Sequence, residues 1–167
     1  MAERDESAGG ERVDVGIGGL AIRRFPDVLV TSALGSCVAV ALWDPFSLSG
    51  GLLHVMLPRP EDTSRVESLL RFAASGVPLL ADGLVGKGSP KRRLVAKIAG
   101  GASMFKGGLS GTDIGRRNVA EVRQQLGELR IPVEAADTGG EHARSVELHL
   151  DSGMLVVRSY AHGVKEL

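Results

Sequence analysis

The chain has 167 residues, 43% of them hydrophobic, and its 20 basic and 20 acidic side chains give a net charge near zero. This balance argues against nucleic acid or an anionic membrane as the main partner, and the single cysteine rules out an internal disulfide and a cysteine-rich metal site. Since no apolar run is long enough to span a membrane and the first residues lack the apolar core of a signal peptide, we expect a cytoplasmic protein without membrane insertion.

The first half of the chain divides into a polar tail and the start of a folded domain. Residues 1–12 offer almost nothing apolar to bury, so they are predicted to be a disordered tail, and residues 13–167 are predicted to form one domain. Alternating apolar residues predict strands at 13–17, 27–31, 38–42 and 52–57. Apolar spacings of three and four predict a helix over 63–84, which Pro78 is expected to kink or divide.

The second half continues with strands and one more helix. The segment LVAKIAGG predicts a strand, residues 118–129 form an amphipathic helical pattern, and another strand starts at Pro132. Residues 146–150 and 154–157 predict a closing hairpin. Strands outnumber helices and occur in hairpins, which indicates an α+β fold with a largely antiparallel or mixed sheet core.

Two reactive side chains stand on neighbouring predicted strands, Cys37 and His54. Opposed residues of an antiparallel hairpin point to one face, and their numbers have a constant sum. With the larger apolar side chains on a common core face, a sum of 91 sets Cys37 directly opposite His54. A register shift of two residues would still leave them on one face.

A thiol and an imidazole on one face are suited to nucleophilic catalysis. A free thiol is only about 3% ionised at pH 7, so we expect the imidazole to lower the pKa of Cys37 and to act as its base. The backbone amides of Gly35, Ser36 and Cys37 are candidates to stabilise an oxyanion. The alternative, which spacing alone leaves open, is a buried cysteine that packs near a hydrogen-bonded histidine.

Other polar stretches are weaker candidates. Ser103, in the glycine-rich loop GGASMFKGG, is a candidate substrate contact in the wall of the site, although a purely structural turn explains the loop equally well. The basic stretch around Lys91–Arg93 is interpreted as a solvated connector, with partner contact as the alternative. The scarcity of aromatic residues speaks against a nucleic-acid site there.

Five segments together resemble a known family. They are VTSALGSCVAVALWDP, GGLLHVMLP, AKIAGGASMF, IGRRN and ADTGGEHARSVEL. In order and in spacing, over residues 15–158, they resemble the chemoreceptor glutamine deamidase family, CheD. Two positions depart from the family pattern: Ala74, where an aspartate is often found, and His142.

The resemblance implies a hydrolase without a cofactor or metal. Its members convert glutamine side chains of methyl-accepting chemotaxis receptors to glutamate and release ammonia. The family's catalytic cysteine, histidine and threonine fall on Cys37, His54 and Thr31, and the implied mechanism proceeds through a thioester. The implied fold is a β-sandwich core with outer helices, similar to bacterial toxin glutamine deamidases.

The resemblance also implies a regulatory partner, a CheC-type phosphatase, and for some members receptor methylesterase activity. The alternative function comes from another class of protein. In it the chain is a non-catalytic binding partner of a CheC-type phosphatase, with deamidation secondary or lost. An intact set of Thr31, Cys37 and His54 favours the enzyme.

Overall fold

A computed structural model describes residues 9–60, 68–104 and 113–167. Its helices are α1, Ala73–Gly86, and α2, Ile114–Glu128, and short 3-10 turns lie at Leu69–Arg71 and Lys91–Arg93. The strands are β1 Arg12–Asp14, β2 Leu20–Arg24, β3 Val28–Leu34, β4 Val38–Asp44, β5 Ser49–Val55, β6 Val95–Gly100, β7 Val133–Thr138, β8 Arg144–His149, β9 Met154–Ser159 and β10 Gly163–Glu166. Within these ranges, neither helix has the length and apolar character needed to cross a membrane.

The strands form two five-stranded sheets. The first sheet has the order β1-β3-β8-β9-β10, and the second has the order β2-β5-β4-β6-β7. Most neighbours run antiparallel, but β1 with β3 and β6 with β7 run parallel, so both sheets are mixed. The prediction of a mixed sheet core with helices is confirmed. The similarity to toxin deamidases stays a prediction.

The second sheet is covered on both faces. On one face, side chains of β4 and β5 pack against α1 and α2 in a cluster that includes Val38, Val40, Leu42, Leu53, Val77, Leu80, Val122 and Leu126. On the other face, smaller side chains meet the first sheet in a cluster that includes Leu29, Ala39, Ala41, Leu52, Val146, Leu148 and Leu155. Burying each large aliphatic side chain stabilises the fold by about 1.5–3 kcal/mol. Residues that alternate along β4 thus serve two different clusters.

Several element boundaries differ from those predicted. Part of the first predicted helix, residues 63–67, lies outside the described residues, and α1 runs through Pro78 without a break. The second helix begins at Ile114 because the Asp113 carboxylate caps it, accepting from the Arg116 N–H at 3.2 Å. Of the predicted tail, residues 1–8 lie outside the described residues, and β1 already begins at Arg12.

Candidate active site

The β4–β5 hairpin has a register two residues away from the predicted one. Ala39 lies opposite His54, and Val38 opposite Val55, so the constant sum is 93. The prediction that Cys37 directly opposes His54 is therefore wrong. The hairpin closes later because the Asp44 carboxylate organises the turn, accepting from the Phe46 N–H at 3.0 Å.

Cys37 and His54 nevertheless share a face of the second sheet. Cys37 stands two positions before Ala39, the residue opposite His54, so Cys37 occupies the adjacent diagonal position. Diagonal positions are about 7–8 Å apart between backbones. Cys37 packs against the cluster between the sheets, where Ala39 and Ala41 also lie. The thiol and the imidazole therefore both face the space between the two sheets.

The turn before β4, residues 35–37, is fixed by hydrogen bonds to its carbonyl groups. The Gly35 carbonyl accepts from the Ala102 N–H at 2.8 Å, and the Cys37 carbonyl accepts from the Gly101 N–H at 2.8 Å. Between them, the Ser36 carbonyl accepts from Nδ2 of Asn118 at 2.9 Å. Two other segments of the chain therefore hold the backbone that carries the thiol.

The amide groups of the same turn differ in their availability. The Gly35 N–H donates to the Ala33 carbonyl at 3.2 Å, so it is already used within the turn. For the N–H groups of Ser36 and Cys37, the described part of the chain offers no acceptor other than the Cys37 thiol itself. Two of the three candidate oxyanion donors therefore remain available.

The close approach of residues 100–101 to this turn requires glycine. A Cβ atom on Gly100 would lie 2.3 Å from the Cys37 carbonyl oxygen, and Gly100 has a φ of 114°. Because of both conditions, any residue other than glycine at this position would be strained. The sequence indicated only a turn at this glycine pair. In the structure, the pair lies directly against the Cys37 turn.

His54 lies on β5 and is fully buried. Its backbone is held by another glycine pair, since its N–H donates to the Gly19 carbonyl and its carbonyl accepts from the Gly18 N–H, each at 3.1 Å. Its Nδ1 lies 2.8 Å from the Thr31 hydroxyl oxygen. Thr31 is on β3, in the first sheet, so this hydrogen bond joins the two sheets.

The hydrogen bonds of Thr31 determine the tautomer of His54. The Thr31 hydroxyl has one proton, which it donates to the Val15 carbonyl at 2.5 Å. Toward His54 the hydroxyl must then accept, so Nδ1 carries the proton and Nε2 carries a lone pair. Nε2 is buried and has no hydrogen-bond partner among the described residues. Nε2 is therefore free to accept a proton, so the imidazole can act as a base.

Burial keeps both groups neutral. It lowers the pKa of His54 below its ordinary value of 6.5. It also raises the pKa of the Cys37 thiol above 9.0, an effect that the thiol's own backbone amide only partly offsets. The expectation that the imidazole lowers the thiol pKa is wrong for this state of the protein. A neutral thiol beside a neutral base requires proton transfer during attack rather than a standing ion pair.

Ser103 follows Ala102, whose N–H binds the Gly35 carbonyl of the Cys37 turn. The N–H of Ser103 itself donates to the Gly140 carbonyl at 2.9 Å. It lines a cavity of about 570 Å³ with α2 and the loop at residues 138–141, and the described lining includes neither Cys37 nor His54. The structure joins Thr31 to His54 and places Cys37 at the same cluster between the sheets, whereas a contact of Ser103 with substrate stays a prediction.

Sequence reasoning missed Asn118. Its side chain is fully buried, and its Nδ2 donates both to the Ser36 carbonyl and to the Met56 carbonyl, at 2.9 and 3.0 Å. A signal was present, since Asn118 stands four residues before Val122 on the apolar stripe of α2. A polar residue on such a stripe indicates a buried hydrogen-bonding task.

Comparison with known proteins agrees with the resemblance. The family described as "CheD chemotactic sensory transduction" matches residues 56–159. The "Probable chemoreceptor glutamine deamidase CheD" of Moorella thermoacetica is 43% identical over 158 residues, 93% of this chain and 95% of that protein. The "Chemoreceptor glutamine deamidase CheD" of Thermotoga maritima is 43% identical over 149 residues, 89% and 92% of the two chains. Since these matches span most of both chains, this chain belongs to the CheD family.

Proposed function

We propose that this protein deamidates glutamine side chains of chemotaxis receptors, with Cys37 as nucleophile, His54 as general base and acid, and Thr31 as the group that orients the imidazole. The observation that carries the proposal is the Thr31–His54 hydrogen bond, which leaves a buried Nε2 lone pair on the face that Cys37 shares. The names of the relatives, glutamine deamidases of chemoreceptors, supply the substrate class.

The first half of the reaction forms a thioester. As the sulfur of Cys37 attacks the carboxamide carbon, the thiol proton moves to Nε2 of His54 and the carbonyl oxygen becomes an oxyanion. His54 then gives that proton to the amide nitrogen, the C–N bond breaks and ammonia leaves. The Nδ1–H bond to Thr31 stabilises the imidazolium and keeps the ring aligned throughout.

The second half restores the enzyme. Water attacks the thioester carbon while Nε2 takes a proton from it, and the C–S bond breaks as that proton returns to sulfur. The products are a glutamate side chain and the free thiol. The oxyanion of both tetrahedral intermediates is assigned to the N–H groups of Ser36 and Cys37, since the Gly35 amide is already paired.

The proposal is tested by incubating the protein with the purified cytoplasmic fragment of a chemotaxis receptor. Mass spectrometry of receptor peptides should find a gain of about one mass unit at particular glutamines, with one ammonia released for each. Asparagine residues of the same peptides serve as the internal control and should change no more than in an incubation without the protein. A receptor fragment whose glutamines all survive, across several receptors from the same genome, would contradict the proposal.

Replacing Thr31 with valine should lower kcat by about 10- to 100-fold with little change in KM, because the ring loses the acceptor that fixes its tautomer. The side chains have nearly the same shape, so packing is kept. Steady-state ammonia release measures the effect. Thr31→Ser retains the hydroxyl and should recover most of the rate, whereas a fully active valine variant would rule out the orienting role.

Two expectations from the sequence analysis stay predictions. One is a CheC-type phosphatase partner, and the other is a cytoplasmic location. A search of the same genome for a CheC-type protein, followed by co-purification with it, tests the first, and cell fractionation tests the second.

A further inference from the structure

We propose that Asn118 is a positioning residue for the oxyanion site: it aims the backbone N–H of Cys37 at the substrate by binding the carbonyl group of the same peptide unit. This role rests on the proposed nucleophilic function of Cys37. The proposal starts from the contacts of the Asn118 side chain, which lies fully buried in the second turn of α2.

Asn118 donates both protons of its side-chain amide, and the two hydrogen bonds connect the segments that carry Cys37 and His54. One goes to the Ser36 carbonyl, directly before the nucleophile, and the other to the Met56 carbonyl, two residues after His54. Its Oδ1 is buried and has no hydrogen-bond partner in the described part of the chain. An unpaired buried acceptor costs about 1–3 kcal/mol. A role limited to packing would not require an amide there, so the two donated bonds are the reason for it.

The bond to Ser36 determines the direction of the Cys37 N–H. In a planar trans peptide unit the C=O and N–H bonds point in opposite directions. Because Asn118 holds the Ser36 oxygen on the α2 side, the Cys37 N–H points away from α2. That N–H lies near the Cys37 sulfur, where it lowers the thiol pKa somewhat. A hydrogen bond to the carbonyl also polarises the peptide and strengthens its N–H as a donor.

The neighbouring peptide unit is held in the same way by the backbone. The Ala102 N–H binds the Gly35 carbonyl and so orients the Ser36 N–H. Helix α2 can approach residue 102 this closely because residue 115 is a glycine. A Cβ on Gly115 would lie 2.3 Å from the Ala102 carbonyl oxygen. Asn118 is thus the one side chain, among the described residues, that holds a carbonyl of the 35–37 turn.

Two reagents that react with the same thiol separate this role from a merely structural one. Acylation by p-nitrophenyl acetate passes through a tetrahedral oxyanion as sulfur attacks the ester carbon and p-nitrophenolate leaves. Alkylation by iodoacetamide displaces iodide and forms no oxyanion. The chain has a single cysteine, so both reagents report on Cys37 once the Cys37→Ala background is subtracted.

In Asn118→Ala we expect acylation to slow by about 10- to 100-fold, in keeping with the loss of one oxyanion donor, and alkylation to change less than about threefold. Gln125→Ala is the matched control. It removes a buried amide two turns further along α2, one that contacts Glu121 instead of the site, and should alter neither rate. Equal slowing of both reactions, or no slowing of acylation, would overturn the proposal.

Thermal melts establish that each variant is folded. Should Asn118→Ala not fold, Asn118→Leu takes its place, because leucine has a similar size, carries no polar group that needs a partner when buried, and lacks the N–H donors. Neither reagent is a receptor. A failure of the receptor assay would therefore overturn the proposed function, while the ratio of acylation to alkylation would still decide the role of Asn118.

Discussion

Cys37→Ala should reduce ammonia release from a receptor fragment by on the order of 10⁴-fold or more, to the level of the uncatalysed reaction. The sulfur is the atom that forms the covalent bond, and the chain contains no second cysteine to replace it. The variant should remain folded, since it loses one small, partly exposed side chain at a cost of about 1 kcal/mol. Ammonia release and thermal melts measure the two effects.

Cys37→Ser is the control for shape. It keeps the size of the side chain, but a hydroxyl is a much weaker nucleophile without stronger activation, so activity should remain very low. Trapping provides a further test, because wild-type protein quenched in acid during turnover should contain a fraction bearing a receptor peptide as a thioester. Normal deamidation by either variant would refute the covalent mechanism.

His54→Gln should lower kcat by about 10³-fold, because it removes the base proposed to take the thiol proton and to protonate departing ammonia. Glutamine is uncharged and can still hydrogen-bond to Thr31, so the fold should tolerate it. His149→Gln is the matched control, since His149 lies on β8 of the first sheet and is paired with Glu147. An active His54→Gln variant beside an active control would exclude His54 as the base.

The pH dependence of kcat/KM belongs to the same prediction. A protonated imidazole cannot accept a proton, so activity is lost as the pH falls through the pKa of His54. Burial lowers that pKa, and the acid limb should therefore lie below pH 6.5 in wild-type protein. The rate of alkylation by iodoacetamide should keep rising beyond pH 9, because burial raises the thiol pKa.

The sequence was informative where local patterns decide structure. Alternation along residues 38–42 predicted that the larger apolar side chains share one face and that the alanines share the other with Cys37, and the two clusters confirm that division. The register of the β4–β5 hairpin could not be predicted from the sequence. It depends on the turn at Asp44, whose carboxylate also pairs with Arg93 at 2.8 Å from a distant part of the chain. Long-range ion pairs leave no trace in local periodicity.

The site was predictable in its residues but not in its electrostatics. Thr31, Cys37 and His54 follow from the family resemblance, and their roles remain proposals. The raised thiol pKa could not be anticipated from the sequence, because it comes from burial of the thiol between the two sheets. The first of these sheets pairs β3 with β8, which lie more than a hundred residues apart along the chain. Asn118 was overlooked for a related reason, since its partners at Ser36 and Met56 come from segments far away along the chain.

The supports of the Cys37 turn come from late in the chain, at residues 101, 102 and 118. A nascent polypeptide that ends before α2 already contains Thr31, Cys37 and His54, but it lacks Asn118, which binds the Ser36 carbonyl. If Asn118 positions the oxyanion donor as proposed, the site is complete only after residue 118 has been synthesised and α2 has docked beside the Cys37 turn.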